Sequence, residues 1–213
     1  IIGGKLPFIG SNGRAGKSDI MICEACEYVD TFLKLSPAIS IILNIDADHL
    51  EYFGSLENII KSFHQFANQT SKVLIVNGDD ENVKKAIKDI QDVKIITFGL
   101  GADNDYSAAN IKEEPNVFED FTLMKQGTPL TDIRLSVPGK HNIMNALAAA
   151  ATADYFGISG NDIAKGLHDF TGVHRRFERL GTFHDIVVAD DFAHHPTELN
   201  ATLTAAMHMG FKN

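Results

Sequence analysis

An α/β fold, with a mostly parallel central sheet flanked by helices and a small antiparallel side sheet, is what these 213 residues predict. Three observations carry that expectation. Apolar, β-branched runs at 39–43, 73–76 and 93–98 are short enough to be strands buried on both faces. Helical patterns lie between them, so strand and helix alternate as parallel sheets require. Between Tyr106 and Val137 the texture changes to short alternating runs, the mark of antiparallel strands.

In chain order, the first apolar run is Ile20-Met21-Ile22-Cys23, which reads as a strand beside 39–43. A helix over 56–66 follows, with apolar residues at 56, 59, 60, 63 and 66 on one face and Ser55 as its N-cap. After the strand at 73–76, Asp80 can cap a helix over 81–90. Strands at 117–124 and 133–137 flank a turn at Lys125-Gln126-Gly127. The Ala-rich stretch 142–156, closed by Gly157, predicts a tightly packed helix. A boundary falls near 179–185, after which a strand at 186–189 leads into a helix over 197–209 with Pro196 at its first turn.

Composition narrows the function classes. Hydrophobic residues make up 44% and charged residues 22%, ordinary globular usage, and no apolar run approaches the roughly 20 residues of a membrane span. A formal charge of -9 argues against a nucleic-acid surface, which needs a concentrated basic face. Cys23 and Cys26 form a lone C-x-x-C; a structural zinc site needs four ligands, so reduced cytosolic thiols are the plain reading. The opening Ile1-Ile2-Gly3-Gly4 without Met, and the abrupt stop at Asn213, predict an excised piece of something longer.

One motif is a decoy. Gly10-Ser11-Asn12-Gly13-Arg14-Ala15-Gly16-Lys17-Ser18 suggests a phosphate-binding loop, but five residues rather than four separate Gly10 from Gly16. A strand-like run, not a helix N-terminus, follows Ser18, so a polar loop is the better reading.

The richest stretch is Asp190-Asp191-Phe192-Ala193-His194-His195-Pro196-Thr197-Glu198. Carboxylates and imidazoles crowd a strand-to-helix loop, where α/β folds place ligands; simple helix capping is the alternative for any one of them. Glu24, and Asp46, Asp48 and His49, likewise follow apolar runs and are expected at the carboxyl ends of neighbouring strands, where carboxylate and imidazole can hold Mg²⁺, although His is an uncommon Mg²⁺ partner. Capping or solvation remains the other reading of Asp46 and Asp48. Asn142 and Asn145, three apart at a helix start, offer amides suited to a purine edge. Arg175 and Arg176 offer guanidiniums for bidentate phosphate contact, or a solvated charge pair.

Together these segments resemble the Mur ligase family: Glu24-Ala25-Cys26-Glu27, Asn44-Ile45-Asp46-Ala47-Asp48-His49, Gly139-Lys140-His141-Asn142 with Asn145, His174-Arg175-Arg176-Phe177-Glu178, and then the 190–198 run, in family order. The resemblance implies a P-loop NTPase-like, ATP-binding central domain over 1–180 and the first strand and helix of a C-terminal Rossmann-like domain over 181–213. It implies ATP-dependent ligation of L-alanine to UDP-N-acetylmuramate through an acyl phosphate. It assigns Glu24 and His49 to Mg²⁺, Asn142 and Asn145 to adenine, Arg176 to ATP phosphate, Asp191 to the ribose side, and His194 and His195 to the acceptor side. Glu24 and Glu27 compete for the metal role, and Cys26 stands where relatives carry an acidic residue. A tripeptide in place of L-alanine, a folylpolyglutamate synthase-like activity, or a non-catalytic nucleotide-binding module are the alternatives. The family's glycine-lysine-threonine loop is not among the 213 residues, so the chain is expected to supply only part of an active site.

Overall fold

The computed structural model describes residues 1–112 and 119–209. Six strands form one sheet in the order of the sequence: β1 (Ile39–Ile42), β2 (Val73–Asn77), β3 (Lys94–Phe98), β4 (Tyr106–Lys112), β5 (Asp120–Lys125) and β6 (Thr128–Arg134). The pairs from β1 to β4 are parallel and those from β4 to β6 antiparallel. The antiparallel strands read from 106–137 are therefore hydrogen-bonded into the main sheet. A separate two-stranded antiparallel sheet is made by β7 (Glu178–Phe183) and β8 (Ile186–Asp190).

The alternation of β2 builds two cores. Val73 and Ile75 face one layer with α4 (Lys140–Tyr155) and α5 (Gly160–Asp169), while Leu74 and Val76 face the other with α2 (Leu56–Asn68) and α3 (Glu81–Ile87). A strand covered on both faces must be apolar throughout, which is why 73–76 contains no polar residue. Ser55 caps α2 as its spacing predicts, accepting from Asn58 N.

Several expectations are corrected. Residues 20–23 form no strand, and Ile20, Met21 and Ile22 are 49%, 72% and 74% exposed. Their backbone bonds go to the N-terminal residue instead: the Ile1 ammonium donates to Ile22 O, and Glu24 N donates to Ile1 O. Among the described residues no apolar layer covers the run, and Glu24 does not sit on a strand neighbouring β1. The strand expected at 133–137 begins instead at Thr128, because Gln126 and Gly127 both take positive φ (48° and 74°) in a two-residue hairpin that pairs Lys125 directly with Thr128. Pro129 is accommodated because β6 is an edge strand. The strand expected over 117–124 starts at Asp120, residues 117 and 118 lying outside the described residues. The helix expected over 81–90 stops at Ile87. The segment 179–185, where a boundary is expected, is strand β7 as far as Phe183 and then a turn at His184 and Asp185, both with positive φ (46° and 65°).

Loops at the carboxyl ends of β1 and β2 are stitched together, which positions the segment 44–49. Asn77 Nδ2 donates to Leu43 O, Asn82 Nδ2 to Ile45 O, and Ile45 N to Asp80 Oδ2 at 3.4 Å. The other Asp80 oxygen caps α3, accepting from Asn82 N and Val83 N at 2.8 and 2.9 Å. Asp80→Ala removes both functions at once and is expected to cost about 1–2 kcal/mol, read as a lowered urea midpoint at unchanged slope. An unchanged midpoint would show that water replaces all three bonds.

Candidate active site

Two groups of side chains gather above the carboxyl edge of the parallel strands. The first is built on the turn after β1. Asp46 N-terminal to it and Asp48 within it bond locally, Asp46 Oδ1 accepting from Ala47 N and Asp48 Oδ1 from His49 N, both at 2.7 Å. His49 takes φ 53° and opens the short helix α1 (Leu50–Phe53). This strained backbone points the imidazole back at the segment 24–28. His49 Nε2 lies 3.7 Å from Glu27 Oε1 and 3.8 Å from Asp48 Oδ2, and its ring centroid is 4.8 Å from that of Tyr28. One ligand atom each from Glu27, Asp48 and His49 fits within 4.8 Å of the others. Two carboxylate oxygens and one imidazole at that separation suit a hard divalent cation that keeps water in its shell.

Glu24 is elsewhere: its Oε2 accepts from Gly3 N at 2.6 Å. Of the two acids weighed from the sequence, Glu27 is the one brought to His49. Cys23 and Cys26, which directly precede Glu24 and Glu27, are free, exposed thiols.

The second group joins the 172–178 loop to α6 (Pro196–His208). Glu198 is its hub. One carboxylate oxygen accepts from Arg176 Nη1 at 3.3 Å; the other accepts from His194 N at 3.2 Å and His195 N at 3.5 Å. Partial burial opposes ionisation of Glu198, but the bonds from His194, His195 and Arg176 outweigh it and hold the carboxyl below the ordinary glutamate value. His195 is the N-cap of α6, its Nδ1 accepting from Thr197 N at 3.3 Å, so the capping role is real for this residue. His194 is exposed; its Nδ1 lies 3.0 Å from Phe192 O.

Asp191 ties the loop together. Its carboxylate accepts from Phe177 N (2.8 Å), Ala193 N (2.7 Å) and Thr202 Oγ1 (3.2 Å). Arg175, by contrast with Arg176, is spent on packing: its guanidinium lies 4.5 Å over the Phe192 ring and its Nε 3.4 Å from Asp190 Oδ2.

Asn142 and Asn145 meet on the first turn of α4 as their spacing requires, Asn145 Nδ2 donating to Asn142 Oδ1 at 3.2 Å. Asn142 Nδ2 also donates to Pro138 O at 2.7 Å and lies 3.2 Å from His141 Nε2. His141 reaches into the field of the second group. Packing around its ring holds it below the ordinary histidine value, Asp191 opposing that shift and Arg176 adding to it. Gly139, with φ 99°, starts α4, and a Cβ there would lie 2.6 Å from the His141 ring and 3.3 Å from the Ala205 methyl of α6. Only glycine lets these helices approach so closely. Beside this contact lies a cavity of about 210 Å³, lined by Pro138, Gly139, His141 and, from α6, Asn200, Thr204 and His208.

A side-chain bond joins the two groups. Thr197 Oγ1, on the first turn of α6, donates to Asp46 Oδ2 at 2.9 Å. The bonds from Ala47 N and Thr197, with His195 nearby, hold the Asp46 carboxyl below the ordinary aspartate value. Asp46 and Asp48 thus cap no helix. The functional weight of Glu198 is absent from a reading of residue types alone, yet a signal existed: an acid three residues after an N-cap is the capping-box spacing. The decoy segment 10–18 is a polar loop, with Gly10 (φ 63°) closing a short 3-10 turn at Pro7–Ile9 and no helix after Ser18.

Known proteins are similar to this chain in sequence and fold. The family model described as the Mur ligase middle domain matches residues 5–153. The UDP-N-acetylmuramate–L-alanine ligase of Acetivibrio thermocellus is 45% identical over 208 residues, covering 96% of this chain and 44% of that protein. The ligase of the same name from Clostridium tetani is 44% identical, covering 97% and 45%. The crystal structure of UDP-N-acetylmuramate-alanine ligase from Thermotoga maritima superposes with a TM-score of 0.82 at 28% identity, over 97% of this chain and 46% of that one. The chain therefore spans a little under half the length of the relatives it matches. With its mixed sheet, its carboxyl-edge acids and imidazoles, and a middle-domain match over most of its length, the chain belongs to the Mur ligase family.

Proposed function

We propose that this chain is the nucleotide-binding part of an ATP-dependent ligase that joins L-alanine to UDP-N-acetylmuramate through an acyl phosphate, a cytoplasmic step in peptidoglycan precursor synthesis. In this reading residues 1–180 belong to the central domain and 181–213 begin the C-terminal one, a division that falls within strand β7. No helix among the described residues is long and apolar enough to cross a membrane. The observation that carries the reading is the Glu198 carboxylate, which holds a guanidinium on one oxygen and the acceptor-side histidine loop on the other.

In this reading Asn142 and Asn145 present amides to the adenine edge, Arg176 presents its fork to phosphate, and His194 and His195 face the incoming amine. Asp191 is assigned to the ribose side, although its carboxylate already takes three donors, so it acts there by shaping the loop. His49, with Glu27 or Glu24 and with Asp48 beside it, would hold Mg²⁺, which neutralises charge on the transferring phosphoryl group. The chain's own contribution is placement: the phosphate-side arginine and the acceptor loop share one carboxylate, so they are oriented together.

The test is a ligation assay in a full-length ligase containing these residues. ATP, Mg²⁺, UDP-N-acetylmuramate and L-alanine are expected to yield ADP, phosphate and the alanyl product. Preference for a tripeptide over L-alanine would overturn the acceptor, and no nucleotide turnover with either would overturn the ligase reading. Residues 1–213 alone are expected to be inactive, because they include no G-x-x-x-x-G-K-[ST] loop to cradle the phosphates.

A further inference from the structure

We infer that Asp46 and Thr197 form a latch between the metal-side turn and the acceptor-side loop, and that both are positioning residues for the amide-forming step; the inference rests on the ligase reading above. Their side chains meet at 2.9 Å although 151 positions separate them in the chain. Asp46 belongs to the turn that carries Asp48 and His49. Thr197 stands two residues after His195, the N-cap of α6, and three after His194. A bond at this point therefore fixes the distance between the two groups of side chains directly, rather than through the body of either domain.

The body of α6 is held by other means. Thr202 Oγ1 donates to Asp191, and buried Ala205 packs where Gly139 leaves room for it. Glu198 holds the loop to Arg176. Loss of the Asp46 bond consequently leaves the helix docked and frees its first turn to shift relative to His49. Asp46 also accepts from Ala47 N through its other oxygen, so its carboxylate is fixed on the turn when it meets Thr197. Phosphoryl transfer to a carboxylate calls on the metal-side and arginine groups; attack by an amine calls on the histidine loop as well. A latch between them thus bears on the second step and spares the first.

The experiment compares Thr197→Val, Asp46→Ala, the double variant and Thr197→Ser in a full-length ligase containing these residues. Thr197→Val keeps the shape and removes the hydroxyl, while Thr197→Ser keeps the hydroxyl. Amide formation by either single disruptive variant is expected to fall about tenfold, as loss of rate or as raised KM for the acceptor, because small misplacements of reacting groups are costly. Acyl-phosphate formation, followed by positional isotope exchange within ATP, is expected to stay within about twofold. The double variant should be no worse than either single one, and Thr197→Ser should match the parent. Additive losses, equal losses in both steps, or no loss overturn the latch. Failure of the ligase reading is a different result, a parent that makes no amide with L-alanine. Amide hydrogen exchange then decides: faster exchange at 194–199 in Asp46→Ala and not in Thr197→Ser supports the latch, and unchanged exchange overturns it.

Discussion

Arg176→Lys is expected to lower kcat/KM for ATP by about 10²-fold in a full-length ligase containing these residues, with the fold unaltered. Lysine keeps the positive charge, so long-range attraction of the nucleotide survives. The planar fork is lost, and with it the ability to hold Glu198 and a phosphate at once. In the structure one guanidinium nitrogen, Nη1, is on Glu198 Oε1 at 3.3 Å, and the side chain is about half exposed, 54%. A solvated arginine would tolerate the exchange. Arg175→Lys provides the contrast, since stacking on Phe192 and the contact with Asp190 explain Arg175 without any ligand. Its effect is expected to be no more than a few-fold. Steady-state kinetics with ATP varied, beside a thermal melt of each variant, make the measurement. Equal sensitivity of the two arginines, or an Arg176→Lys enzyme with parental ATP dependence, would reduce this segment to a charged turn.

His49→Ala is expected to raise the Mg²⁺ concentration needed for half-maximal turnover by about tenfold or more while barely changing stability, because its ring is only partly buried and its charged neighbours are wet. The two carboxylate candidates separate in the same titration. Glu27 lies 3.7 Å from His49, whereas Glu24 is engaged by Gly3 N, so Glu27→Gln is expected to reproduce the His49→Ala shift. A shift caused by Glu24→Gln instead would return the role to the acid that the family resemblance favours. If neither glutamine variant nor His49→Ala moves the Mg²⁺ midpoint, the trio is a structural cluster. Spent in that way, the carboxylates would simply solvate the turn.

Local chemistry made much of this molecule legible before any coordinates. β2 was readable because a strand covered on both faces admits only apolar side chains, and α2 because Ser55 and the apolar spacing 56, 59, 60, 63, 66 announce a capped amphipathic helix. The loop at 190–198 stood out as a candidate site because ionisable groups crowded between a strand and a helix are rare without a purpose. Asn142 and Asn145 share a face because helical spacing demands it.

What the sequence determined by itself is thus set by neighbours in the chain: strand burial, helix starts, capping, and the order of the family's motifs. What only the tertiary structure decided depends on partners that spacing cannot name. Residues 20–23 have the composition of a strand, yet a strand needs a neighbouring strand along its length and an apolar layer over it, and among the described residues the run meets only the Ile1 backbone and stays exposed. Pro129 hides a strand whose tolerance for proline comes from its place at the sheet edge. Glu27 meets His49, Glu198 gathers Arg176 with both histidines, and Asp46 meets Thr197 across 151 residues because the chain returns to the same sheet edge, and a long-range meeting leaves no periodicity in the sequence to betray it.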